Sequence, residues 1–135
     1  MNDLPEPTVN GITIGPAVLR GATCTCAASA RRVRSNTGAS GFFSYTIDGT
    51  NFCYTIEARD LSAGALAAHV HVAPRNIAGP IVIPLTVGSG TSFSVAACTT
   101  ASAELLSAIS ANPGGYYVNV HTPTFPGGEI RGQVK

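Results

Sequence analysis

Apolar and polar residues alternate along much of this chain. Phe43, Tyr45 and Ile47 alternate with Ser44 and Thr46, and Phe52, Tyr54 and Ile56 alternate with Cys53, Thr55 and Glu57. A period of two places one set on each face of an extended strand. That is the pattern of half-buried antiparallel strands. Between such runs lie Gly, Pro, Asn and Asp, which break strands and form turns. The spacing predicts strands over Ala17–Ala27, Gly41–Ile47, Phe52–Ala58, Ala67–Val72, Ile81–Thr86, Ser92–Ala97, Tyr116–His121 and Glu129–Val134. The segment Ile47-Asp48-Gly49-Thr50-Asn51-Phe52 reads as a hairpin turn.

One stretch, about 100–111, departs from the period of two. Leu105, Leu106 and Ile109 fall at helical spacing, Glu104 sits in the first turn, and Thr100 or Ser102 can cap it. Asn112-Pro113-Gly114-Gly115 ends it and leads directly into the Tyr116–His121 strand. Short strands in this number with one short helix predict an all-β fold, a Greek-key antiparallel β-sandwich. A chain of 135 residues suits one such domain, expected over 13–135, with a loose N-terminal arm over 1–12.

Composition narrows the class of function. Charged residues make up 11% of the chain, against about 25% in an average soluble protein. A formal net charge of +1 argues against nucleic acid as a main partner. The basic run Arg31-Arg32-Val33-Arg34 has no interleaved aromatic residues to stack bases, and reads as a solvated loop or a charged strand edge. No uninterrupted apolar run is long enough to span a bilayer. The first seven residues lack a basic segment followed by an apolar stretch. The expectation is a secreted protein, or one of another oxidising compartment, whose signal peptide has been removed from a longer precursor.

Four cysteines, Cys24, Cys26, Cys53 and Cys98, favour two disulfides in that setting. Cys24 and Cys26 share one strand face, so each can bridge to Cys53 or Cys98, with the pairing open. A thiolate metal site and four free buried thiols are the competing readings.

The three histidines carry the most chemistry. His69 and His71 lie in Ala68-His69-Val70-His71-Val72, and His121 ends Tyr116-Tyr117-Val118-Asn119-Val120-His121. Alternation points His69 and His71 to one side of their strand, and puts His121 on the same side as Asn119 and Tyr117. If the two strands are close, three imidazoles converge, a donor set that suits copper or zinc. The plainer reading is three hydrogen-bonded structural histidines. No phosphate-cradling loop, dinucleotide fingerprint or nucleophile elbow is present.

Two longer stretches resemble a known family. They are Ala68-His69-Val70-His71-Val72 with Gly79-Pro80-Ile81-Val82-Ile83-Pro84-Leu85, and Asn112 to Thr122 with Pro126-Gly127-Gly128-Glu129-Ile130-Arg131-Gly132-Gln133. Together they closely resemble the CHRD domain, first named from chordin. The likeness is strong from about Gly38 to the C-terminus, and weaker before it. It implies a Greek-key β-sandwich. It also implies a histidine arrangement similar to the copper half of copper–zinc superoxide dismutase, with His69 and His71 as the paired ligands and His121 as the later one. This chain has no fourth histidine to bridge two metals and no His- and Asp-rich zinc loop, so a two-metal site is excluded and a mononuclear three-histidine site is left. Arg131 is similar to the anion-guiding arginine of the dismutase in type, but differs in spacing.

One copper or zinc ion on three histidines would keep a coordination position open. A small molecule or an oxygen species is then the expected substrate, in dismutase-like redox or Lewis-acid/base chemistry. Asn119 would orient an imidazole or a water, and Tyr117 would line the site or donate a proton. Glu129 is either an added carboxylate or a partner on the face of Arg131 and Gln133, and Phe125 would shape a pocket mouth. The alternatives are a non-catalytic structural or protein-interaction module, as chordin suggests, and a metal-sequestration protein. Oligomeric state has no signature in the sequence.

Overall fold

The computed structural model describes residues 8–9, 12–21 and 37–135, with side chains from 37 onward. The readings for Cys24, Cys26 and Arg31–Arg34 lie outside the described residues. The described chain forms β1 (Thr8–Val9), β2 (Ile12–Gly21), β3 (Ser40–Asp48), β4 (Asn51–Arg59), β5 (Ala67–Val72), β6 (Ile81–Leu85), β7 (Phe93–Thr100), α1 (Ala103–Ala111), β8 (Tyr116–His121) and β9 (Ile130–Gln133). Every strand pairing is antiparallel.

The strands form one hydrogen-bonded path, β6-β5-β8-β9-β2-β3-β4-β7, with β1 added beside β2. β2 is the seam. It pairs with β3 from Thr13 to Arg20 and with β9 at Arg20 and Gly21, so the path folds over there into two facing layers. One layer contributes Phe43, Tyr45, Phe52, Tyr54 and Ile56 to the core, and the other contributes Ala68, Val70, Ile83, Val118, Val120 and Ile130. Leu106 and Ile109 of α1 are buried in the same cluster. This is the expected all-β sandwich with one short helix. The predicted alternation on β3 and β4 is the observed burial pattern, and their four core aromatic rings lie at centroid distances of 5.4 to 6.3 Å. Burying each phenylalanine is worth about 1.5–3 kcal/mol. The expected hairpin turn is present: Asp48 pairs with Asn51, and Gly49 takes a left-handed φ of 61°, as a two-residue loop requires at its first position.

Several boundaries move. The first long strand runs Ile12–Gly21 rather than starting at Ala17. Gly15-Pro16 reads as a break in sequence, yet among the described residues no strand pairs with Pro16 on its second side, where β1 covers Ile12 and Thr13 and β9 covers Arg20 and Gly21. Thr8–Val9, within the stretch read as an arm, pairs with β2. β7 continues to Thr100 because Thr99 and Thr100 pair with Phe52 and Asn51, so the helix begins later and Ser102 is its cap, accepting from Leu105 N at 3.2 Å.

The cysteine pairing also differs from the expected bridges to Cys24 or Cys26. Cys53 and Cys98 face each other directly across β4 and β7 and form a disulfide with each other. Cross-strand neighbours on one face come within bonding reach of each other. The bridge also removes these two thiols from any thiolate metal site.

Candidate metal centre

The outer face of the β6-β5-β8-β9 layer is polar. Ala68, Val70, Val118, Val120 and Ile130 point into the core, so His69, His71, Tyr117, Asn119, His121, Arg131 and Gln133 take the opposite side. Antiparallel register does the rest. His69 lies opposite Asn119, His71 opposite Tyr117, and Ala67 opposite His121, while Asn119 and Tyr117 lie opposite Arg131 and Gln133 of β9. β6 gains one residue against β5 between Val70 and His71, a bulge beside the second histidine.

The three histidines meet. One ring nitrogen from each of His69, His71 and His121 lies within 4.8 Å of the others. His69 Nδ1 and His121 Nε2 are 3.0 Å apart. Two of the far nitrogens are anchored. His71 Nδ1 donates to the carbonyl of Gly79 at 2.8 Å, and His121 Nδ1 donates to the carbonyl of Pro126 at 2.8 Å. A carbonyl can only accept, so each Nδ1 carries a proton and each neutral ring keeps its lone pair on Nε2. His71 Nε2 in turn lies 3.0 Å from Asn119 Oδ1. Two lone pairs facing each other need a proton, a turned amide or a cation between or beside them.

Protonation is disfavoured at His69 and His121. Burial holds the His69 imidazole below its ordinary pKa, and the charges of His121 and His71 lower it further. Burial also lowers His121, against the raising effect of the Pro126 hydrogen bond, with His71 adding to the depression. Neutral imidazole is the ligating form. The donor set therefore fits one metal ion. Nitrogens on one ion at about 2.0–2.1 Å can be at most about 4.2 Å apart, so the widest pair has to close slightly. His71 is buried, while His69 and His121 are half-exposed, so the cluster opens to solvent on their side.

The remaining expected site residues fall into place around it. Tyr117 is buried, and its ring stacks on His71 at a centroid distance of 4.7 Å and 5° between planes. Its hydroxyl accepts from Gly79 N at 3.1 Å. Asn119 is buried against His71. Arg131 is buried under the loop after β5, donating to the carbonyls of Ile77 and Pro74 and to Gln133 Oε1, with its guanidinium carbon 3.4 Å from the Tyr117 ring centroid. Phe125 is half-buried in the loop that carries Pro126. Glu129 departs from both of its expected roles. It precedes β9, is fully buried, and accepts from Ser62 N, Ser62 Oγ and Thr122 Oγ1 at 2.7 to 2.9 Å, so it ties two loops together instead of pairing with Arg131 or joining the histidines.

Two contributors were invisible to sequence reasoning: the carbonyls of Gly79 and Pro126. Backbone acceptors leave no side-chain signature. The nearest signal is Gly79 itself, where a Cβ would fall 1.8 Å from Val72 O, so only glycine permits this approach.

Comparison with known proteins agrees with the motifs. No curated protein and no solved structure matches the chain. The family model of the CHRD domain matches residues 17–134, which include all three histidines and the whole polar face, and the chain belongs to that family.

Proposed function

We propose that this domain binds a single copper or zinc ion through His69, His71 and His121, and uses it on a small molecule or an oxygen species. The observation that carries this reading is the anchoring of two converging imidazoles. His71 and His121 each commit Nδ1 to a backbone carbonyl, which leaves the Nε2 lone pairs to ligate beside His69 Nδ1 once an ion replaces the Asn119 contact of His71 and the contact between His69 and His121. Such outer contacts fix tautomer and ring orientation in metal sites. A bound ion would supply Lewis acidity, or one-electron exchange if it is copper.

The chain's own residues define what surrounds that chemistry. His71, buried and stacked on Tyr117, is the rigid ligand; His69 and His121 border the solvent side from which a substrate approaches. Three neutral imidazoles leave the dication uncompensated, which favours anionic or oxygen-rich small molecules. Asn119, beside His71 Nε2, is placed to orient a ligand or a water. The Cys53–Cys98 disulfide supports an oxidising compartment, consistent with secretion.

A second reading rests on the 3.0 Å contact between His69 Nδ1 and His121 Nε2. As a neutral hydrogen bond it would knit β5 to the end of β8 without any metal, in an interaction module. One experiment separates the readings. Wild-type protein and His71→Ala are equilibrated with copper(II) or zinc(II), desalted and analysed for metal. The proposal expects about one retained equivalent in the wild type and a large loss in the variant. Turnover of superoxide or peroxide by the copper form, or of hydrolytic or lyase substrates by the zinc form, then separates catalysis from sequestration. No retained metal would sink the proposal and leave the interaction module.

A further inference from the structure

Resting on the metal-site reading, we infer that Arg131 and Gln133 are positioning residues for His71, acting through a strap formed by residues 73–80. The strap leaves β5 directly after His71 and Val72 and returns as β6 beside the same strand, where Val72 N donates to Pro80 O at 3.1 Å. Its tip is a tight turn. Ile77 N donates to Pro74 O at 3.2 Å, and Asn76 takes a left-handed φ of 66°. The Arg131 fork grips both ends of that turn, Nη1 on Ile77 O at 2.7 Å and Nη2 on Pro74 O at 2.9 Å. A planar guanidinium presents its donors in fixed directions, so it sets the position of two carbonyls at once. Gln133 Nε2 adds Ala73 O at 3.1 Å and Gly114 O at 2.8 Å, and its Oε1 accepts from Arg131.

The other end of the strap is the functional one. Gly79 N donates to the Tyr117 hydroxyl, and Gly79 O accepts from His71 Nδ1. Tyr117 thus touches His71 twice over, through ring stacking and through the strap. Arg131 and His71 lie too close to the Tyr117 ring to share one face of it, so the ring stands between them. Its strand neighbours agree, with β5 on one side and β9 on the other. The strap is therefore seated by β9, and its carbonyl, which can only accept, draws the His71 proton to Nδ1, while Asn119 beside Nε2 can present either end of its amide. His121 provides an internal control. Its anchor, Pro126 O, belongs to the separate loop that Thr122, Phe125 and Gly128 close by their own hydrogen bonds.

The test reads tautomers directly in metal-free protein by long-range nitrogen–proton NMR at about pH 8, where imidazoles are neutral. In the wild type, both His71 and His121 are expected as the Nδ1–H form. In Arg131→Met, His71 is expected to shift towards the Nε2–H form or a mixture while His121 is unchanged, and zinc or copper affinity is expected to fall about 10–100-fold. Tyr117→Phe, which keeps the stack and removes only the hydroxyl, is expected to act in the same direction, and it decides the matter should Arg131→Met fail to fold. Arg131→Lys is expected to restore part of the effect through one carbonyl. An unmoved His71 tautomer with unchanged affinity, or equal changes at His121, would overturn the strap. A moved tautomer in a protein that holds no metal would leave the strap standing and remove the metal-site reading. Metal binding with unmoved tautomers would do the reverse.

Discussion

His71 and His121 each spend one ring nitrogen on a backbone carbonyl, and this turns a pair of strand histidines into candidate ligands. The sequence carried the parity of these residues: His69, His71, Tyr117, Asn119 and His121 were legible as one face from alternation alone. It did not carry the carbonyls, because Gly79 and Pro126 act through backbone atoms placed by loops. Glu129 was misjudged for a related reason. Its parity with Arg131 applies only inside a strand, and β9 starts one residue later, leaving Glu129 free to turn towards Ser62 and Thr122. Glu129→Gln is expected to cost about 1–3 kcal/mol, since one of the donors now served by a carboxylate oxygen meets an amide NH2; chemical denaturation checks this, and an unchanged midpoint would contradict it. The cluster also sets a pH dependence. The folded values of His69 and His121 lie below their unfolded values, so between the two the unfolded chain binds more protons and stability rises with pH. Metal-free protein is expected to keep this contribution above about pH 6.5 and to lose it as pH falls through and below that value. Melting temperatures from about pH 8 to about pH 5 test this, with a His69→Gln/His121→Gln variant expected to show a flatter profile.

At the scale of elements, the strands that carry the site were the most legible. Ala67–Val72 and Tyr116–His121 have the predicted bounds, because each is a short apolar-alternating run with breakers at both ends. Boundaries moved where a residue's local preference was overruled by its partners. Pro16 sits in a strand whose second edge carries no partner there among the described residues, and Thr99 and Thr100 extend β7 because β4 offers them a ladder. The bulge between Val70 and His71 and the strap that follows are long-range consequences of packing, and no local pattern marks them. The Cys53–Cys98 bridge joins β7, the last strand of the described path, to β4, away from the histidine-bearing layer. Its loop spans 45 residues, for which chain entropy suggests about 4 kcal/mol of stabilisation. Cys53→Ala/Cys98→Ala is therefore expected to unfold at markedly lower denaturant while retaining the His71 tautomer of the wild type. Equal stability, or a disturbed tautomer, would contradict this separation of the two layers.

Over the whole molecule, one sandwich carries two faces of opposite character on its β5-β8-β9 strands: an apolar inner face that makes the core and a polar outer face that gathers three histidines. The fold class and the existence of the cluster were legible because both follow from period-two patterning. The closure of the path through β2 was not, since it depends on which strands become neighbours across the chain. The family match covers the stretch that holds His69, His71 and His121, and the fold brings those three together. The most direct measurement is anomalous diffraction from crystals of the protein loaded separately with copper and with zinc. The expected result is a single peak at about 2.0–2.1 Å from His69 Nδ1, His71 Nε2 and His121 Nε2, with the Gly79 and Pro126 carbonyls still holding the far nitrogens. No peak at the cluster in either crystal, or a peak elsewhere with the imidazoles still bonded to one another, would contradict it.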